Sequence, residues 1–359
     1  MVQNGKTGSV QKQTSGVSRL SYYKSVMKQL SLVCSKPFFF TVILFLGMTS
    51  SVWAQESFFN ILSGAPIQYE VGTSSWLYPR SELPGLNDHL EMQRFTENIQ
   101  GVLYQSNPHR LGVNVDADVL HLVSETDVPG SEYSLPSHLY DMSLGLGYLH
   151  MNSNGRVIGG GIKVGSSSDM PFISIDETTF SAEMLMRIQS RKTDSWLFYL
   201  NFANNRPTLN YYPIPGVAYF WVPNKQFQGL FGFPVTSLSW RPHERWSFNA
   251  TLVPSPYIKF KAAFKIDERA NLFTEYLWKT DSYLLSKRKD NFDRLFFSDH
   301  QVNLGADVQF MKMFEITARA GYLFERDIKV GQDVFSDIKD SQRVDGCFFG
   351  MIGFNVKVR

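Results

Sequence analysis

From Phe314 to Glu325 the chain changes character at every residue. Phe314, Ile316, Ala318, Ala320, Tyr322 and Phe324 are apolar or small, and all the charge falls on the alternate set Glu315, Thr317, Arg319, Gly321, Leu323 and Glu325. Successive side chains of a strand point to opposite faces, so this segment is a strand with one greasy face and one charged face. A face of that kind must meet either a protein core or lipid. The same alternation recurs at Leu111, Val113, Val115, Ala117 and Val119; at Tyr140, Met142, Leu144, Leu146 and Tyr148; and at Phe180, Ala182, Met184, Met186 and Ile188. It returns at Trp196 to Phe202, Trp246 to Leu252, Ile258 to Phe264, Val302 to Phe310 and Phe348 to Val358, and no helical period intervenes.

The opposite faces carry Asp116, Asp118, Glu183, Arg187, Lys259, Lys261, Lys265, Asp307, Glu315 and Arg319. A soluble antiparallel sheet also has two unlike faces, so alternation alone leaves an exported β-sandwich as a competitor. Three further features favour lipid. The runs exceed the usual five or six residues of globular strands and suit a tilted crossing of a bilayer. Tyr148, Trp196, Trp221, Trp246, Tyr257, Trp278 and Tyr322 sit near run ends, where amphipathic rings meet lipid headgroups. Short turns at Asn152-Ser153-Asn154-Gly155, Arg191 to Asp194, Pro223-Asn224-Lys225, Pro242-His243-Glu244, Asp267 to Ala270 and Met311-Lys312 largely alternate with longer polar links. Those links run from Glu125 to Pro136, Gly165 to Asp176, Ala203 to Tyr211, Asp281 to Asn291 and Arg326 to Arg343.

These features predict an all-β fold, a transmembrane antiparallel up-and-down β-barrel occupying residues 66–359. The count is about fourteen strands, with twelve or sixteen left open because closure of bacterial barrels requires an even number. Gly232-Phe233-Pro234 reads either as a hairpin tip or as a kink within one strand.

Residues 1–54 read as a signal peptide. Six basic residues and no acidic one precede an apolar run from Phe38 to Met48, followed by Ser51-Val52-Trp53-Ala54. Met27 offers an alternative start of ordinary signal length, and residues 55–65 read as a periplasmic lead-in. Six of the 35 basic residues and none of the 33 acidic ones lie in that leader, so the remainder carries a net charge of about −4. No basic stripe with interleaved aromatics points to nucleic acid. Cys347 stands alone after the leader, so an internal disulfide framework is not expected.

The segment Asn210-Tyr211-Tyr212-Pro213-Ile214-Pro215-Gly216-Val217-Ala218-Tyr219, with Gly232-Phe233-Pro234 and Trp240-Arg241-Pro242, resembles an uncharacterised family of bacterial outer-membrane β-barrels. That resemblance implies architecture and an outer-membrane location, with no catalytic residues to carry over. The chain departs from the usual pattern at its end, Val356-Lys357-Val358-Arg359, where such barrels finish on an aromatic residue.

Chemistry is sparse. The seven histidines show no HxH or HxxxH spacing, and glycine pairs such as Gly145 and Gly147 precede no helix. Ser298, Asp299 and His300 form the most tempting catalytic cluster, but nothing in the sequence supplies an oxyanion site. No enzyme, cofactor or metal centre is expected. The ten inner-face charges, Asp116, Asp118, Glu183, Arg187, Lys259, Lys261, Lys265, Asp307, Glu315 and Arg319, are the functional lead, since rings of charge inside a pore set what passes. The leading expectation is a porin-like channel for passive diffusion of small polar solutes. A closed structural or surface-interaction barrel is the alternative, and an outer-membrane enzyme the third. Expected partners are outer-membrane lipid, the barrel-assembly machinery and small solutes.

Overall fold

In a computed structural model of the chain, residues 69–358 are described, apart from 153, 154 and 255. The expected signal peptide and lead-in lie outside the described residues. Seventeen strands follow one another among them: β1 (Tyr69–Glu82), β2 (His89–Ser106), β3 (His109–Val123), β4 (His138–Met151), β5 (Val157–Ser168), β6 (Thr178–Gln189), β7 (Ser195–Ala203), β8 (Ile214–Asn224), β9 (Phe227–Phe233), β10 (Thr236–His243), β11 (Trp246–Val253), β12 (Tyr257–Lys265), β13 (Ala270–Tyr283), β14 (Arg294–Phe310), β15 (Phe314–Asp333), β16 (Asp337–Val344) and β17 (Cys347–Val358).

Each strand pairs antiparallel with its predecessor through β16, and β17 closes the ring by pairing with β1 from Tyr69↔Val358 to Leu77↔Gly350. Strand β15 pairs β17 along Phe314–Leu323 and β16 beyond Arg326, so β16 and β17 are successive pieces of one position in the wall. The barrel thus has sixteen wall positions, at the top of the expected range. Strands β9 and β10 pair with each other through Leu230↔Ser237, which makes Gly232-Phe233-Pro234 a hairpin tip.

The alternating apolar set faces outward. Leu304, Ile352, Met184 and Phe348 are 68%, 62%, 64% and 74% exposed, a density of bare apolar surface that only lipid can cover. On β3 this belt runs from Leu111 to Val119 between His109 and His121. The twelve steps from His109 to His121 make about 40 Å at the strand rise, or about 28 Å of depth at a 45° tilt, so the flanking histidines bracket the apolar band of a membrane barrel.

The six short turns expected from the sequence fall at the end where β1 begins and β17 ends; the longer loops 124–137, 169–177, 204–213 and 284–293 fall at the other, together with the tight β9–β10 and β15–β16 turns. Two expected links differ. The segment from Arg326 to Arg343 is not a loop: β15 runs on to Asp333 and β16 returns, turning only at 334–336. Likewise β5 continues to Ser168, which shortens the expected Gly165–Asp176 link.

Candidate functional site

All ten sequence-selected charges stand on the inner face, and most are paired there rather than presented singly to water. The lysines of β12 do not form a bare cationic ladder. Lys261 Nζ lies 3.4 Å from Asp307 Oδ2 and 3.8 Å from the centroid of the Phe273 ring. Asp307 also accepts from Thr317 Oγ1 at 2.8 Å. Lys259 is 4.0 Å from Glu275 Oε2, whose Oε1 accepts from Arg319 Nη1 at 2.8 Å. Lys265 sits at the short-turn rim, 2.8 Å from Glu268. Lys357 Nζ donates to Glu315 at 3.0 Å and approaches Glu70 at 3.8 Å.

These pairs link strands that are adjacent or one apart, so they lie along the wall of β12 to β2. Gly305 makes one of them possible: a Cβ there would sit 2.3 Å from the Phe273 ring atom Cζ, in the space taken by the ring that carries Lys261 and Arg319.

Toward the long-loop end the pairing turns across the lumen. Arg94 on β2 donates from Nε to Asp118 at 2.6 Å and from Nη1 to Asp281 on β13 at 2.7 Å. Lys279 Nζ adds a 2.9 Å contact to Asp281. Asp116 collects Lys163 at 2.9 Å, Asn98 at 2.6 Å and Asn114 at 2.8 Å. Asp116 and Asp118 are each 1% exposed, so they are packed ion-pair members and do not line water. Buried charges persist only when paired and hydrogen-bonded in this way.

Strands β5 and β13 are eight positions apart whichever way the sixteen-membered ring is counted. They nevertheless touch: Leu284 N donates to Ser167 O at 2.7 Å, and Ser167 Oγ to Ser282 O at 2.8 Å. The barrel is therefore flattened at this end, with opposite walls in contact. An apolar cluster including Tyr78, Leu90, Met92, Leu120, Leu139, Tyr283, Leu295, Phe297, Leu323 and Ile328 fills the side bounded by β13 to β4. Loops reinforce the closure. Val334 N donates to Pro207 O at 2.9 Å, Arg294 Nη2 to Asn204 O at 2.6 Å and Arg288 Nη1 to Glu177 at 2.9 Å.

On the other side Leu149, Leu185, Leu197, Ala218, Leu230 and Val253 form a buried apolar cluster within the inner wall of β4 to β11, among inner-face polar residues such as Lys163, Asn201, Ser239 and Asn249. Glu183 and Arg187 of β6 are set into it. Arg187 Nε donates to Ser195 Oγ at 2.9 Å, with its guanidinium 5.6 Å from the centre of the Phe220 ring.

The Ser298, Asp299 and His300 cluster is split by the pleat. His300 faces outward, its ring stacked 5.1 Å from Trp278 and its Nδ1 2.8 Å from the Tyr276 hydroxyl, whereas Asp299 faces inward opposite Lys279. These residues do not converge on one point. Among the described residues no three histidine, cysteine or carboxylate side chains converge as metal ligands.

No family model matches the chain, and no curated protein does. Solved structures resemble it in outline. An outer-membrane channel from Pseudomonas putida F1 is 8% identical with a TM-score of 0.35, covering 82% of this chain and 97% of its own. The Pseudomonas putida toluene transporter TodX is 10% identical with a TM-score of 0.37, at 82% and 91% coverage. The translocator domain of the autotransporter NalP from Neisseria meningitidis is 12% identical with a TM-score of 0.30, at 84% and 93% coverage. At these levels the inner wall has to be read from its own side chains. The resemblance carried by the Asn210–Tyr219 segment has no counterpart among the family models.

Arg94, Glu275 and Asp281, which organise the inner network, are absent from the charges the sequence singled out. Glu275 was within reach, since it occupies an inner position directly opposite Lys261 in the β12–β13 register. Arg94 and Asp281 meet only through tertiary folding, and no local pattern announces their contact.

Proposed function

We propose that this chain is an outer-membrane channel for small solutes, with a wetted inner wall toward the short-turn end and a constriction toward the long-loop end. Short turns on one side and longer loops on the other place the loops outside the cell and the turns in the periplasm. One observation carries the channel reading. The ion pairs Lys261–Asp307, Arg319–Glu275 and Lys357–Glu315 run along the wall, so they neutralise charge without bridging the lumen. The partly exposed members of these pairs, such as Lys259, Lys261, Asp307 and Glu315, give the lumen a polar lining that suits small polar solutes. Bilayer lipid surrounds the barrel on this reading, and the barrel-assembly machinery inserts it.

The second reading, a closed structural barrel, is favoured by the contact between β5 and β13. Planar-bilayer recording separates the two. The channel reading expects small discrete conductance from the purified chain and a larger one from Arg94→Ala, which removes the tie between β2 and β13. Silence from both proteins would refute it and leave the closed barrel.

A further inference from the structure

Strands β3 and β4 bring two pairs of histidines into register on the outer face, His121↔His138 at the long-loop rim and His109↔His150 at the short-turn rim. Spacing along the chain hides both. The hydrogen bond from Leu122 N to Ser137 O at 2.8 Å identifies His121 and His138 as a non-hydrogen-bonded pair, the kind in which facing side chains come closest. Their ring centroids are 4.6 Å apart. A transition metal bound by imidazole nitrogens at about 2.0–2.1 Å lies about 3.2 Å from each ring centre, so two such ligands at a right angle have centroids about 4.5 Å apart.

Tautomer sets this pair apart from the other. His121 Nδ1 is 3.0 Å from the Ser137 carbonyl oxygen, which can only accept. Nδ1 therefore carries the proton and Nε2 keeps its lone pair, the arrangement that second-shell carbonyls impose on metal-binding histidines. Ser137 also serves the partner, with its hydroxyl 3.1 Å from His138 Nδ1, where it accepts in the tautomer that frees Nε2. At the opposite rim His109 Nδ1 meets the Tyr148 hydroxyl at 2.6 Å, a group that donates or accepts and fixes neither tautomer. Gln93 continues the outer row beside His121, and Glu91 lies two positions along the same face of β2, adding an amide oxygen and a negative charge.

We propose that His121 and His138 form an exchangeable two-imidazole site for a divalent transition-metal ion such as Cu²⁺ or Ni²⁺ at the outer rim of the barrel. Water completes the coordination shell. The site does not depend on whether the lumen conducts. It is tested on the untagged full-length chain in detergent, carrying His109→Asn and His150→Asn to remove the second pair. Ni²⁺ alone, titrated by calorimetry, should bind one ion per chain, at least tenfold more tightly than to the same protein with His121→Asn or His138→Asn. With one equivalent of Cu²⁺, electron paramagnetic resonance should show two imidazole nitrogens, and one after either substitution. Heat-modifiable migration verifies that each variant is folded. Equal Ni²⁺ affinity with and without the pair, or a Cu²⁺ spectrum without paired nitrogens, overturns the proposal.

Discussion

Glu97 faces lipid, because its neighbours Arg94 and Asn98 bond inward while the register sets it opposite Thr73 and Ala117 on the outer face. It is 4% exposed between those small residues, and its Oε2 has no partner. A carboxylate on the lipid face destabilises a barrel, less than a basic residue at the same depth. Glu97→Gln should therefore raise stability by about 1 kcal/mol in urea unfolding from liposomes. Arg94 is the opposite case, since its removal strands Asp118 in a packed interior and leaves Asp281 with Lys279 alone. Arg94→Ala should cost about 3 kcal/mol in the same assay. At the short turn between β6 and β7, Asp194 accepts from Val222 N at 3.0 Å and from the Tyr219 hydroxyl at 3.1 Å. The backbone bond from Val222 foremost holds its carboxyl below the ordinary carboxylate value. Because the folded value is depressed, the stabilisation is complete above about pH 4 and disappears as pH falls through the folded value. Asp194→Asn should flatten that acid limb of the stability curve and leave the neutral region parallel to the parent.

At the scale of elements, alternation located most of the wall, and turn chemistry located the short connections. The pattern failed where a strand changed phase. Up to Phe324 the even positions of β15 face lipid, but Glu325 adopts φ 48°, and beyond this bulge Arg326 and Ile328 point inward. A period-two reading cannot follow a strand through such a shift, so the second half of β15 and all of β16 looked like a polar loop. The histidine pairs carry a sequence signal of another kind. Both are symmetric about one midpoint between Pro129 and Gly130, the relation that a hairpin imposes on facing residues. The inner charges were legible as a face but not as pairs, because Arg94 meets Asp281 only when the barrel flattens. At this scale the loop between β7 and β8 is a strap: Asp333 accepts from the Thr208 hydroxyl and from Leu209 N at 3.2 Å. Asp333→Ala should expose residues 204–213 to protease on intact cells while the barrel stays heat-modifiable.

For the whole molecule, sign balance decides selectivity more than the number of charges. On the inner wall Lys259, Lys261, Lys265, Arg319 and Lys357 face Glu70, Glu275, Asp307 and Glu315, with Glu268 in the adjoining turn. A pore lined by matched pairs offers little preference to either ion, whereas a single-sign ring would filter. Replacing Lys259, Lys261 and Lys265 together by glutamine would strip Lys261 from Asp307 and leave Glu275 with Arg319 alone, so that the inner wall carries an excess of carboxylates. The reversal potential across a KCl gradient should then move from near zero toward the cation side. A shift toward anions, or none despite measurable current, would mean that permeating ions avoid the wall of β12 to β14 and pass along β4 to β11 instead.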